Sequence, residues 1–290
     1  MVPGDTCQQA RLGLAAGKMA AAGLLAGETP VDMAGPGIEF LDYREYMYGD
    51  DAKHIDWRAS ARLGLSQGKL YMRVYRAERK ARIAWLVDLS RSMFHLWKPF
   101  AAAFLVGVAS TLSEKLGDTV QPVFYASSVD SYPPMRPAEA AWLAVRKICE
   151  QAGGGRLRIG DAVGLAARAA RGKPLIAFTD YGAPVRDYIR LKRAVESAYG
   201  WLAVFAVATP GERGVVPPGL VYLYGVERGG GAPVSLEEYA RRARRHIRLV
   251  REAVGEGRLV EAASPGGKRL SVEAALAYMR WRSRLPVVTR

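Results

Sequence analysis

The stretch Ile83-Ala84-Trp85-Leu86-Val87-Asp88-Leu89-Ser90-Arg91-Ser92-Met93 constrains this chain more than any other. Five apolar residues follow one another without alternation, and then a carboxylate and two hydroxyls recur at every second position. An unbroken apolar run suits a strand covered on both faces, as in a parallel sheet. Each large side chain in it contributes about 1.5–3 kcal/mol on burial, which holds the strand rigid up to Asp88. Past Met93 the pattern turns helical. Asp88, Ser90 and Ser92 are therefore expected at the carboxyl end of a central strand, where open α/β sheets place their ligands.

The sequence after this strand alternates in the same way. A helix is expected over Lys98 to Leu116, with Phe100, Phe104, Val108, Leu112 and Leu116 near one face. A strand over Thr119 to Tyr125 and a short edge strand over Ser128 to Tyr132 follow. Helices over Ala138 to Gln151 and Asp161 to Ala170 flank the loop Gly153-Gly154-Gly155. Next come a strand over Pro174 to Thr179 ending in Asp180, a helix over Asp187 to Tyr199, and strands over Trp201 to Ala208 and Leu220 to Tyr224. Beyond Pro233 the pattern is helical over Leu236 to Val254, with Tyr239, Ala243, Ile247, Val250 and Val254 as its stripe, and again over Val272 to Arg284. Such alternation predicts an α/β fold with a doubly wound, mostly parallel sheet.

Half of the 290 residues are hydrophobic, enough for a sizeable core. The formal charge of +14 favours an acidic partner, whether nucleic acid, an anionic membrane surface or a protein. Cys7 and Cys149 stand far apart and in no metal spacing, so a secreted disulfide framework is not expected. Residues 10–27 lean apolar, but Arg11 and Lys18 interrupt them and the run is too short for a bilayer. They also lack the Leu-rich core of a signal peptide. These features together predict a cytoplasmic protein without a membrane span.

Residues 36–80 are dense in charges and aromatics. In order they carry Gly37-Ile38-Glu39-Phe40, Arg44-Glu45-Tyr46, Gly49-Asp50-Asp51, Ile55-Asp56-Trp57, Ala61-Arg62 and Glu78-Arg79, and the alternating segment from Leu70 to Tyr75 reads as a strand. With the following Asp88-x-Ser90-x-Ser92-Met93, this order resembles the bacterial and archaeal family called domain of unknown function 58. The resemblance implies a von Willebrand A-like, Rossmann-like domain with an amino-terminal extension of short strands. It also implies a MoxR-type AAA+ ATPase as partner, because members are commonly encoded beside one. On this basis the chain divides into an amino-terminal helix and linker (1–35), the charged block packed on the main domain (36–80), the A-like domain (81–232) and carboxyl-terminal helices (233–290).

Asp-x-Ser-x-Ser after a strand also resembles the metal-ion-dependent adhesion site of von Willebrand A domains. A carboxylate and two hydroxyls are hard donors suited to Mg²⁺. Asp180 occupies the place of that site's later aspartate. The site's threonine is missing: the glycine loop that resembles its carrier continues into Arg156. A guanidinium cannot ligate Mg²⁺, but if turned inward it can pair with Asp88 and Asp180 in the metal's place. Asp88, Ser90, Ser92 and Asp180 thus form a degenerate candidate site, open to Mg²⁺ or to a substitute cation.

Two further clusters stand out. Asp50, Asp51 and Asp56 supply carboxylates of the kind that hold two metals in phosphohydrolases and nucleases. Arg44, Lys53, Arg58 and Arg62 crowd the same stretch, which favours charge pairing, and Arg44, Asp50, Asp51, Asp56, Trp57 and Arg62 then form a candidate partner surface. Arg241, Arg244, Arg245, Arg248 and Arg251 ring one helix and offer phosphate contacts for a nucleic-acid reading. No nucleophile sits in a triad-like pattern, and Gly229-Gly230-Gly231 lacks the Lys and Ser/Thr of a P-loop. The chain therefore reads as a non-enzymatic interaction protein that partners a MoxR-type ATPase in protein assembly or maturation. The metal-dependent hydrolase and the nucleic-acid binder are the alternatives.

Overall fold

The structure is a computed structural model that describes residues 5–25, 40–45, 70–75, 80–151, 154–217, 219–224, 231–255 and 258–262, together with Ser60, Ala274, Ala275, Tyr278 and Arg282. The chain divides into two compact units, one of residues 1–31 with 80–290 and one of residues 32–79. In the smaller unit β1 (Phe40–Glu45) pairs antiparallel with β2 (Tyr71–Tyr75), with Arg44 opposite Met72.

The larger unit is built on a six-stranded sheet. Its strands are β3 (Arg82–Asp88), β4 (Thr119–Tyr125), β5 (Val129–Ser131), β6 (Pro174–Asp180) and β7 (Trp201–Val207), with β10 (Leu259–Ala262) following a separate antiparallel pair, β8 (Leu220–Tyr224) and β9 (Gly231–Ser235). Their order is β10-β7-β6-β3-β4-β5, and every pairing except β4 with β5 is parallel. Counted along the sheet alone, this is the doubly wound order 3-2-1-4-5-6. The fold expected from the sequence is therefore the fold observed, with β3 between β4 and β6.

The unbroken apolar run of β3 has a simple cause. Successive side chains point to opposite faces, and both faces are covered. Ile83, Trp85 and Val87 join one buried core, while Ala84 and Leu86 join the other. Across the first core Trp85, Phe178 and Phe205 meet edge-on at 5.6 and 5.5 Å, one ring from each of β3, β6 and β7. That core is closed by α1 (Thr6–Leu25), α2 (Lys98–Lys115) and α3 (Pro137–Glu150). The second lies beneath α4 (Ile159–Ala169), α5 (Val185–Ser197) and α6 (Leu236–Val254).

Three expectations are corrected. The sheet does not end before residue 233, because Leu259–Ala262 supplies its sixth strand and α6 covers its face. The strand at Leu220–Tyr224 exists but, among the described residues, pairs only with β9, outside the main sheet. The cysteines are not independent either: Cys7 and Cys149, 142 residues apart, are joined in a disulfide that ties α1 to α3.

The amino-terminal helix is also more than a loose leader. It lies so close to α2 that a Cβ on Gly13 or Gly17 would collide with the carbonyl oxygens of Phe100 or Phe104, and one on Gly107 would stand 2.7 Å from that of Leu14. Glycine here allows two backbones to approach, and α1 covers what would otherwise be the exposed side of α2. As a result α2 buries residues on all sides, among them Ala101, Ala102, Ala103, Phe104, Leu105 and Val106. A Gly17→Val substitution is expected to lose about 1–3 kcal/mol or more through overpacking. Urea denaturation of the folded variant checks this; wild-type stability would mean that α1 does not dock on α2 in this way.

Candidate functional site

β3 stops at Asp88 because the side chain turns back on its own backbone. Asp88 Oδ1 accepts the Ser90 amide at 2.8 Å, the local turn that a short carboxylate side chain favours. A single 3-10 turn over Arg91–Phe94 follows. Next comes Leu96 in the left-handed region at φ 53, and then α2 begins at Lys98. A leucine there costs energy, and such strain gathers where surrounding structure holds an unusual turn in place. The turn leaves Leu96 66% exposed, with His95 also exposed beside it.

The glycine loop closes over the same strand end. Gly155 donates to the Leu89 carbonyl at 2.9 Å and accepts from the Arg91 amide at 3.0 Å, so it pairs with Ser90 like a further strand. A Cβ on Gly155 would run into the Ala126 backbone, and Gly154 sits at φ +70. The loop thus needs its glycines for close approach, as expected.

Four expected residues come together here. Ser90 Oγ and Ser92 Oγ are 3.2 Å apart beside Asp88. A Cβ on Gly182 would lie 2.9 Å from Asp180 Oδ1 and 3.5 Å from Ser92 Oγ, which places the second carboxylate next to the hydroxyls. Asp180 ends β6 as Asp88 ends β3, so the cluster occupies the switch point between the sheet's first and fourth strands.

Arg156 is not the cation of this cluster. Its side chain is exposed and makes no ion pair among the described residues. The ammonium of Lys98, from the first residue of α2, lies 2.8 Å from Asp180 Oδ2 and also bonds Glu212 Oε1. Lys98 is 1% exposed and Asp180 2%. Glu212 is held for this contact by Thr209, whose amide and hydroxyl donate to Oε2 at 2.8 and 3.0 Å.

Burial pulls the Lys98 ammonium toward neutrality, but the charges of Asp180 and Glu212 outweigh it and its pKa rises. Among the described residues no cation bonds Asp88. Burial, then the charge of Asp180, push its carboxyl up to about 6 against the hydrogen bonds from Ser90 and Thr179. Thr179 Oγ1 donates to Asp88 Oδ2 at 2.6 Å and lies 3.2 Å from the Tyr125 hydroxyl. Thr179, Lys98 and Glu212 were not expected from the sequence. The only signal for Thr179 is a hydroxyl inside an apolar strand. Lys98 and Glu212 carry no local signal at all.

The residue pattern that marks proteins described as "Protein of unknown function DUF58" matches residues 42–253. The chain belongs to that family. No curated protein matches this DUF58 member. Among solved structures it is similar to the conserved hypothetical protein BatB from Bacteroides thetaiotaomicron, at 18% identity over 69% of this chain and 98% of the other, with a TM-score of 0.42. It is also similar to an aerotolerance-related membrane protein from Bacteroides fragilis NCTC 9343 carrying multiple mutations to serine, at 14% identity over the same shares, with a TM-score of 0.43.

The donor set of this DUF58 chain fits Mg²⁺ poorly. Both Asp88 oxygens already accept hydrogen bonds, and Asp180 is shared between the Gly182 amide and a buried ammonium. A fixed positive charge beside the Asp180 carboxylate opposes a divalent cation there. Among the described residues no group of three or more His, Cys, Asp or Glu is placed to hold a metal.

The other candidate surfaces fare unevenly. Arg44 lies on β1, whereas Asp50, Asp51, Asp56, Trp57 and Arg62 fall outside the described residues. On α6 the buried stripe is Leu236, Ala240, Ile247, Val250 and Val254, with Tyr239 and Ala243 only half-buried. Arg242 pairs with Glu238, Arg244 donates to the Gly214 carbonyl at 2.9 Å, and Arg251 lies 3.7 Å from Glu261. Arg241, Arg245 and Arg248 share the exposed face. Among the described residues no helix is long and apolar enough to cross a membrane.

Proposed function

We propose that this chain is a non-enzymatic interaction protein that docks a partner at the carboxyl end of β3 and β6. The observation that carries the reading is the hydroxyl pair of a buried Ser90 and a half-buried Ser92 at the sheet's switch point, followed in the same turn by the exposed His95 and Leu96. Hydroxyls and backbone on a rigid strand end supply directional contacts. An exposed leucine beside them supplies apolar area of the kind that anchors interfaces. The partner implied by the family resemblance is a MoxR-type AAA+ ATPase, and the process is assembly or maturation of other proteins.

The compartment is part of the same proposal. A cytoplasmic site, expected from the cysteine spacing together with the interrupted amino-terminal apolar run, stands against the bond between Cys7 and Cys149. Disulfides persist in oxidising compartments and in the interior of hyperthermophiles, so a cytoplasmic location goes with the second of these.

Capture of the purified ATPase on immobilised protein tests the docking site. Asp88→Ala and Leu96→Arg are each expected to weaken capture at least about tenfold, or ~1.4 kcal/mol, with the fold checked by circular dichroism. Leu96 is exposed, so its variant separates docking from stability. Unchanged capture by both folded variants would move the interface to residues 36–62 or to the Arg241, Arg245 and Arg248 face of α6.

A further inference from the structure

We infer that Lys98 is the resident cation of the strand-end cluster, a tethered ammonium that holds Asp180 where a divalent metal would otherwise be its counter-charge. The inference deepens the docking reading by making partner engagement independent of metal, and it is tested without the ATPase, so the two fail separately.

Two buried carboxylates at adjacent strand ends repel each other and favour a cation nearby. Asp88 is 4% exposed and Asp180 2%, so water screens them little. The only cation bonded to either among the described residues is Lys98, at 2.8 Å from Asp180. Its position is otherwise unfavourable. A positive charge in the first turn of a helix opposes the helix dipole, and a lysine 1% exposed has lost its hydration. The Asp180 and Glu212 carboxylates offset both costs, and Glu212 is itself locked in place by Thr209. The turn that leads into Lys98 passes through Leu96 at φ 53, a strained backbone position. Arg156, the loop residue expected from the sequence to offer the substitute cation, is exposed and makes no ion pair among the described residues. The cation comes from α2, not from the glycine loop.

Titration calorimetry and thermal melts with Mg²⁺ test this on the full chain. The wild type is expected to release no binding heat up to millimolar Mg²⁺ and to melt at one temperature with or without it. Lys98→Met opens the position, and its melting temperature is expected to rise with Mg²⁺ by mass action. The double variant Lys98→Met/Asp180→Asn is expected to lose that rise. Wild-type Mg²⁺ binding that Asp88→Asn abolishes would overturn the inference, as would a Lys98→Met protein indifferent to Mg²⁺. If Lys98→Met does not fold, the wild-type titration decides: specific binding overturns the inference and its absence supports it.

Discussion

Cys149→Ser is expected to lower the unfolding free energy by up to about 5 kcal/mol, the largest single loss this structure implies. Cys7 and Cys149 close a loop across 142 positions of sequence. In the chain-entropy account a cross-link acts by shrinking the unfolded ensemble, and loops beyond about 100 residues reach ~4.7 kcal/mol. The native state adds a second reason. The bond fastens α1 over α2 and α3, and Ala10, Leu14, Ala21 and Leu24 go into the core only while that helix stays docked. Urea titration of the oxidised wild type against Cys149→Ser measures the loss, with mass spectrometry confirming the bond in the wild type. A difference below about 1 kcal/mol would mean that the denatured chain keeps these ends together without the bond.

Lys98→Ala is expected to cost about 3–5 kcal/mol, because it leaves a buried carboxylate uncompensated rather than removing a pair. Asp180 is 2% exposed, and its remaining partner at Oδ1 is the Gly182 amide. Glu212 is 28% exposed and can rehydrate, so Asp180 dominates the loss. Lys98→Ala/Asp180→Asn should recover much of it, since replacing both members of a buried pair is far less costly than stranding one. A double-mutant cycle in urea reads the coupling between the two positions. A Lys98→Ala protein as stable as wild type would mean that water reaches Asp180, and the ammonium would then be a bystander.

These two residues also mark the limit of what the sequence made legible at the site. Asp88, Ser90 and Ser92 could be placed because an apolar run ends at Asp88, a local property, and Asp180 was joined to them by the resemblance to a metal-ion-dependent adhesion site. The glycine loop was legible for a similar reason: only glycine permits the close approach that Gly155 makes to Ala126. Lys98 reads locally as the solvated start of a helix, followed by a proline. Its burial follows from the course of the turn through Leu96 and from Glu212, 114 residues further on. Arg156 was placed near the carboxylates by its loop, and the loop does come close, but its side chain is exposed and pairs with neither carboxylate.

Hydrophobic period and strand–helix alternation determined the sheet, its central strand and the strand end that carries the cluster. These are one-dimensional signals, because a strand covered on both faces must be apolar at every position. Only the tertiary structure decided which cation meets Asp180, that Cys7 joins Cys149, that Gly13 and Gly17 let α1 lie against α2, and that Leu259–Ala262 completes the sheet. Each of these is a contact between residues distant in sequence. Its energy comes from burial, charge compensation or backbone approach, which exist only once both partners have been brought together.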